Sequence, residues 1–207
     1  MLLVMLKVEP TPAPPEADDA RTLALVARCR QGDAAAWRTL YAAHFDFVHR
    51  TARNLGTPPA ELDDVAHDVF AIAFRKLDRF HEGQLTTWLY RICANVVTDH
   101  HRRRRVRGAL MAVFGPAVDP DADIARGPTP EGQLQQAQAQ AQVAQILERM
   151  RPKKREVFAL FEIEGLSGEE IARRVGCPVD TVWTRLFHAR KEFAQIGRRL
   201  GLMEDAS

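Results

Sequence analysis

The chain has 207 residues, of which 46% are hydrophobic and 27% are charged, and its 29 basic and 27 acidic residues leave a formal net charge of +2. This length allows one large domain or two small ones, and no apolar stretch approaches the length of a membrane-spanning helix. The three cysteines are far apart and no pair has metal-ligand spacing, and their odd number argues against a disulfide framework. They are Cys29, Cys93 and Cys177. We therefore expect a cytoplasmic protein without a metal or a cofactor.

The N-terminal tail precedes the first helical pattern. Met1–Leu6 is apolar, but it is too short for the core of a signal peptide, and no basic segment precedes it. A start codon assigned upstream of the true one would explain this leader equally well. Glu9–Asp19 is rich in proline and acidic residues, so we expect residues 1–19 to be disordered.

Four helices are predicted in the first half of the chain, and no segment has the alternating pattern of a strand. Their expected positions are residues 20–30, a helix capped by Asp33, residues 60–77 and residues 86–105. The breaks between them lie at Gly32, at a turn containing Gly56, Pro58 and Pro59, and in a loop containing Gly83. The inward side of the third helix consists of Val65, Val69, Phe70, Ile72 and Ala73.

The fourth predicted helix has two distinct faces. Its buried stripe consists of Leu85, Leu89, Ile92 and Val96. A second face mixes an aromatic ring, cations and hydrogen-bonding groups, namely Trp88, Arg91, Asn95, Thr98 and Arg102. This mixture suits an unpaired DNA strand, because aromatic rings stack on exposed bases and arginines hold phosphates. A solvated amphipathic helix with a basic end is the alternative.

Residues 108–129 form a predicted flexible linker that is interrupted by glycine and proline. Fully extended, a segment of this length would span roughly 70 Å. We therefore expect two separately folding units that can sit on different parts of one target.

The C-terminal part predicts a helix-turn-helix. Helices are expected after Thr129-Pro130, including the Gln- and Ala-rich residues 133–145, and from Pro152 to Gly165. The motif itself has a capping box, a helix-ending glycine and a proline suited to the first turn of the last helix. These residues are Ser167 with Glu170, Gly176 and Pro178.

The last helix has a buried stripe and a polar outer face. The stripe consists of Val182, Leu186, Ala189 and Phe193, and the outer face carries Thr181, Thr184, Arg185, His188 and Lys191. A helix-turn-helix presents such a face to the major groove of DNA. DNA binding is therefore favoured over a helical hairpin in some other all-α protein.

In this order the segments resemble the bacterial RNA polymerase sigma factors of the extracytoplasmic-function type. The resemblance covers about residues 20–105 and 130–195. Its motifs are residues 25–33 with Trp37, Leu40 and Tyr41; residues 63–77; residues 87–103; and residues 155–190.

The resemblance implies an all-α fold with two helical domains joined by a flexible linker. Sigma domain two would cover residues 20–107, the linker 108–129, sigma domain four with the helix-turn-helix 130–200, and a tail 201–207. The implied function is that of an alternative sigma factor, not an enzyme. It would bind the RNA polymerase core, recognise promoter DNA and help melt the minus-ten element. An anti-sigma factor is a further partner that some members have, and membrane insertion is not expected.

The resemblance also implies three groups of binding residues. The polymerase-binding residues are Asp64, His67, Asp68 and Phe74. The minus-ten residues are Trp88, Arg91, Asn95, Arg102 and Arg103, beside a loop over residues 80–85 that captures a flipped base. The recognition-helix residues are Thr181, Trp183, Thr184, Arg185, His188 and Arg190.

The sequence departs from the family pattern in the polymerase-binding helix and in the helix-turn-helix. His67 stands where Gln is common, and Pro178 stands where a capping Ser is common. Trp183 and His188 occupy positions that are often basic, so we expect weaker phosphate anchoring and a shifted base preference.

Three further hypotheses follow from the residues. A dimeric repressor or activator would use the same helix-turn-helix, but it needs a dimer interface or a sensor domain. A nucleic-acid enzyme would need clustered carboxylates, and Asp63, Asp64 and Asp68 share one helix without a suitable ligand partner. Acidic linker residues could mimic RNA charge in the RNA exit path, with a soluble tether as the alternative; they are Asp119, Asp121 and Asp123.

Overall fold

The computed structural model describes residues 19–80, 83–114 and 131–203, and within these ranges every regular element is helical. The helices are α1 Asp19–Arg30, α2 Ala34–Asn54, α3 Leu62–Lys76, α4 Leu85–Phe114, α5 Glu131–Arg149, α6 Pro152–Phe158, α7 Gly168–Val175 and α8 Val179–Arg199. Short 3₁₀ turns flank α3, and a π-helical turn, Ala159–Ile163, continues α6. The all-α prediction is confirmed.

The predicted capping chemistry sets several helix ends. Asp33 accepts hydrogen bonds from the backbone amides of Ala35 and Ala36, at 2.8 and 3.1 Å, and so begins α2. Ser167 and Glu170 form the expected capping box at the start of α7. Gly176 ends α7 in the left-handed conformation, with φ 70°. Pro178, however, occupies the N-cap of α8 and not its first turn.

The fourth helix is longer than the sequence predicts. It was expected to end at Arg105, yet α4 continues to Phe114, so residues 108–114 of the predicted linker are helical. An exposed glycine such as Gly108 costs a helix only about 1 kcal/mol, and the alanines and leucine that follow favour it. The N-terminal leader, most of the predicted N-terminal tail and the three linker aspartates lie outside the described residues.

The N-terminal half, α1–α4, surrounds a core supplied mainly by α2, α3 and α4. Fully buried side chains from these helices meet there, including Val48, Val65, Val69, Leu89, Cys93 and Val97. Ile72, which the periodicity assigned to the same side, is only partly buried. Burying these helices leaves few backbone polar groups unpaired, because the backbone hydrogen bonds of a helix are formed within the helix itself.

The C-terminal half, α5–α8, packs mainly through α6 and α8. The rings of Phe158 and Phe193 stack with their centroids 4.5 Å apart. The predicted stripe of α8 is buried, as are Ile146, Leu147 and Met150 of α5 and the loop that follows it. The stripe predicted for α8 is therefore confirmed as core.

The two halves also pack against each other, and their buried residues form one continuous hydrophobic cluster. At Gly56, φ is +88°, and a Cβ atom there would lie 2.7 Å from the Cβ atom of Leu147 in α5. The backbone of the N-terminal half thus touches a helix of the C-terminal half directly. The sequence predicted two separately folding units joined by a linker, and helical periodicity does not reveal whether the outer faces of two such units match.

We predict that Ser167→Ala lowers the free energy of unfolding by about 1 kcal/mol, because it removes the hydroxyl that accepts from the Glu170 amide. Chemical denaturation followed by circular dichroism would measure this. Ser167→Thr keeps the hydroxyl and is the control. Equal losses in both variants would show that the cap does not stabilise α7.

Candidate nucleic-acid interface

The outer face of α8 is the first candidate surface for DNA. Thr184, His188 and Lys191 are exposed there, whereas Thr181 and Arg185 are half-buried. The Thr184 hydroxyl donates a hydrogen bond to the Asp180 carbonyl at 3.0 Å, which fixes its rotamer and leaves its oxygen able to accept. Most of the predicted outer face is therefore accessible on one helix.

Trp183 has both an inward and an outward side. Its ring packs on Gly168, where a Cβ atom would lie only 2.6 Å from it, and it meets the Phe161 ring edge-on with centroids 5.7 Å apart. The residue still has 45% of its surface exposed. Trp183 thus sets how closely the start of α7 approaches α8, while its free edge adjoins the outer face.

Phe187 is a member of the outer face that the sequence reasoning missed. It is 56% exposed and lies one turn after Trp183 and Thr184. The Lys191 ammonium lies 4.3 Å from its ring centroid, which places a cation over an aromatic ring. The signal was present in the sequence, because the buried stripe of α8 skips this position and so leaves an aromatic ring on the polar side.

Two predicted arginines of the recognition helix have structural partners. Arg190 pairs with Glu162 at 2.7 Å and covers the Phe161 ring at 5.4 Å. Arg185 donates to the Cys177 sulfur at 3.5 Å. Both contacts tie α8 to neighbouring segments, so these side chains contribute to the helix-turn-helix geometry as well as to its charge.

The minus-ten face of α4 is the second candidate surface. Arg91, Asn95, Arg102 and Arg103 are exposed, and Trp88 is half-buried with its ring 5.6 Å from that of Phe80. At the start of the helix lies a cleft of about 350 Å³. Its lining residues are Gly83, Gln84, Thr87, Trp88, Arg91 and Arg173.

Part of this minus-ten face is covered by the C-terminal half. Arg91 donates through Nε to the Arg174 carbonyl at 3.3 Å, and Arg173 of α7 lines the cleft. The Thr98 hydroxyl accepts a hydrogen bond from Arg155 of α6 at 2.9 Å. Nothing in the sequence indicated that the two candidate DNA-binding halves would meet here.

The exposed side of α3 carries the residues predicted to bind polymerase. Asp64, His67, Asp68 and Phe74 are all accessible, and Phe74 has 62% of its surface exposed. The Phe74 ring lies 4.8 Å from the Trp37 ring of α2. Asp68 differs from the others because its carboxylate accepts from His100 of α4 at 2.9 Å. The face therefore combines carboxylates with an exposed phenylalanine that packs on the half-buried Trp37.

The carboxylates of α3 do not converge on a common point. Asp63 lies 3.6 Å from His49 of α2, whereas Asp68 is held by His100 of α4. Among the residues that the structure describes, no group of three or more His, Cys, Asp and Glu side chains could hold a metal ion. Within the same residues, no helix has the length and apolar character that a membrane crossing requires.

Two family comparisons cover most of the two halves. Residues 40–107 match the Sigma-70 region 2 family, and residues 140–193 match the family described as Sigma-70, region 4. The first match contains the exposed side of α3 and the minus-ten face of α4. The second contains α6, α7 and the outer face of α8.

Relatives resemble most of the chain. The RNA polymerase sigma factor CnrH of Cupriavidus metallidurans is 34% identical over 178 residues, which cover 83% of this chain and 92% of that protein. The ECF RNA polymerase sigma-E factor of Escherichia coli K12 is 30% identical over 173 residues, which cover 81% and 89%. A solved structure of CnrH in complex with the cytosolic domain of CnrY has a TM-score of 0.53 at 26% identity, and the match covers 84% of this chain and 96% of that chain.

We predict that Phe193→Ala and Phe187→Ala differ sharply in stability, although both remove a phenyl ring from α8. Phe193 is buried against Phe158, so its loss should lower the free energy of unfolding by about 3–5 kcal/mol. Phe187 is exposed, and its loss should change that quantity by less than about 1 kcal/mol. Urea denaturation of both variants measures the difference, and similar losses would contradict the assignment of the two faces.

Proposed function

Because the chain belongs to the RNA polymerase sigma factors of the extracytoplasmic-function type, we propose that it acts in the cytoplasm on the polymerase core. It directs the core to promoter DNA and helps melt the minus-ten element. The observation that carries this proposal is the order of two accessible surfaces, on α4 and α8, within the matched regions 2 and 4. It acts by binding and needs no bond-breaking step of its own.

Melting follows from differential binding. Extruding a base from the duplex costs a few kcal/mol, and a site that holds only the extruded base offsets that cost. The cleft beside Trp88 offers an aromatic ring for stacking and Arg91 for a phosphate. Arg102 and Arg103 continue the basic track along α4 and would hold the backbone without reading sequence.

The outer face of α8 would read the minus-thirty-five element in the major groove. Thr184 and His188 can exchange hydrogen bonds with base edges, and Lys191 can hold a phosphate. Phe187 offers an apolar contact of the kind that recognises a thymine methyl group. With Arg190 paired to Glu162, base discrimination would rest more on Thr184, Phe187 and His188 than on arginine.

The exposed side of α3 would contact the polymerase core. An accessible phenylalanine beside Trp37 is an anchor typical of protein interfaces, which are enriched in aromatic residues at their centres. Asp64 and His67 are exposed on the same helix and add polar groups to this face. The relative CnrH has been solved with the cytosolic domain of CnrY, so a protein partner of that kind is a further proposal for this chain.

Run-off transcription with purified bacterial core polymerase tests the function directly. Promoter fragments from the source genome should give discrete transcripts only when this protein is added. Their start sites would report both promoter elements. Absence of transcripts, together with failure to co-elute with core polymerase, would leave a stand-alone DNA-binding regulator as the better account.

We predict that Phe74→Ala weakens the affinity for core polymerase by roughly 30-fold, which is the loss expected for an interface anchor. Leu23→Ala is the matched control, because Leu23 is also an exposed apolar residue of the N-terminal half but lies on α1. Fluorescence anisotropy would measure the affinity of both variants for core polymerase, and only Phe74→Ala should bind more weakly than wild type. Equal affinity of the Phe74 variant and wild type would remove α3 from the polymerase interface.

We predict that Phe187 senses a thymine methyl group in the minus-thirty-five element. Uracil in place of thymine removes only that methyl, so one such replacement should weaken holoenzyme binding to promoter DNA by up to about tenfold. The same replacement should have no effect in Phe187→Ala. If every thymine-to-uracil change affects both proteins equally, Phe187 does not read the base.

A further inference from the structure

We propose that His100 of α4 is a positioning residue for the polymerase-binding face of α3. Its imidazole holds the Asp68 carboxylate in one orientation, so that this carboxylate is already ordered when it meets a donor group on the core polymerase. The inference rests on the proposed function, which assigns the exposed side of α3 to the polymerase interface. It adds to that interface a residue from another helix, which acts through Asp68 and not by touching the polymerase.

The contact between the two side chains is a short hydrogen bond to a carboxylate. His100 Nε2 lies 2.9 Å from Asp68 Oδ2, and only 19% of the His100 side chain is exposed. An ionised carboxylate can only accept, so the ring donates from Nε2, and this assigns the position of its proton. The contact uses Oδ2, and 53% of the Asp68 side chain stays exposed. The carboxylate is therefore held from one side and accessible from the other.

Glu61 lies beside the other nitrogen of the same ring. It belongs to the 3₁₀ turn before α3, and its Oε2 atom is 4.0 Å from His100 Nδ1. Its Oε1 atom accepts a hydrogen bond from Arg104 of α4 at 2.6 Å, so Glu61 is itself held in place. The imidazole therefore has a carboxylate next to each nitrogen, and these neighbours restrict its orientation.

The helix that carries His100 is a rigid base. Val96 and Val97, which precede it by four and three positions, are 5% and 0% exposed. Residues at these spacings lie next to one another on a helix, so core packing fixes the backbone beneath the imidazole. A side chain on a packed helix places its partner more precisely than a side chain on a loop does.

The polymerase-binding face is held at both of its edges. At one edge Phe74 packs on Trp37 of α2, with the ring centroids 4.8 Å apart. At the other edge Asp68 is held by His100 of α4. Asp64 lies between these edges by helical spacing, and within the described part of the chain no hydrogen bond or ion pair holds it. The orientation of Asp68 is therefore set in a way that the orientation of Asp64 is not.

Ordering a side chain in advance strengthens binding. A side chain that enters an interface loses rotamer freedom, and this loss opposes association unless the side chain is already fixed. The hydrogen bond from His100 fixes Asp68 before the polymerase arrives. It also persists in the complex, because a carboxylate can accept several hydrogen bonds at once.

The test measures the affinity of full-length variants for purified core polymerase by fluorescence anisotropy. His100→Leu removes the donor and should weaken this affinity by roughly three- to tenfold, the range that ordering one side chain at an interface costs. His100→Gln supplies an amide nitrogen at a similar reach and should restore most of the affinity. Urea denaturation of each variant checks that the fold is kept.

A double-mutant cycle separates positioning from a general effect on α4. Asp68→Ala should weaken the affinity by roughly tenfold or more. His100→Leu should then cause no further loss, because no carboxylate is left to orient. In an Asp64→Ala background the loss caused by His100→Leu should persist in full. A merely structural role of His100 would instead add the same loss in every background.

His49→Leu is the matched control. His49 of α2 also lies beside a carboxylate of α3, with Nε2 3.6 Å from Asp63 Oδ1, and its side chain is 26% exposed. Asp63 is not among the residues predicted to bind polymerase. The variant should therefore bind core polymerase like the wild type.

Wild-type affinity of His100→Leu, or an equal loss in the Asp68→Ala background, would overturn the role of His100. So would a His100→Gln variant that binds as weakly as His100→Leu. Failure of the proposed function would differ from these outcomes, because the wild-type protein itself would then fail to bind core polymerase.

Discussion

The packing of α4 is the constraint on which both halves of the structure depend. One side of this helix places Leu89, Cys93 and Val97 in the core against α2 and α3. A second side presents Thr98 and His101 to Arg155 of the C-terminal half. What remains, including Asn95 and Arg102, faces solvent and forms the minus-ten face. With 3.6 residues per turn, these sides are fixed relative to one another, so a rotation of α4 would disturb the core, the contact between the halves and the proposed DNA-binding surface together.

Arginine has two different roles in this protein, and the local carboxylates decide between them. Arg104 forms ion pairs with Glu61 and Glu148. Arg174 pairs with Glu164, and Arg190 pairs with Glu162. The planar fork of each guanidinium suits such pairing, which orients helices relative to one another. Arg103 on α4 is exposed, so its guanidinium is accessible to a phosphate. The net charge of the chain is only +2. A basic surface therefore arises from this division between ion-paired and exposed arginines, and not from the average charge of the chain.

The sequence by itself determined the helices, their caps and most of the exposed candidate residues. Periodicity and capping are local, so Asp33, the Ser167–Glu170 box and the α8 stripe could be read directly. The exposed position of Phe187 was also readable, although it was overlooked. The extension of α4 to Phe114 was not, because helix ends depend on small propensity differences. Only the tertiary structure decided that Arg155 is buried against His101, that Trp183 packs on Gly168 and that α7 covers part of α4. These contacts join residues distant in the chain, and their energies depend on the shapes of faces that no local pattern records.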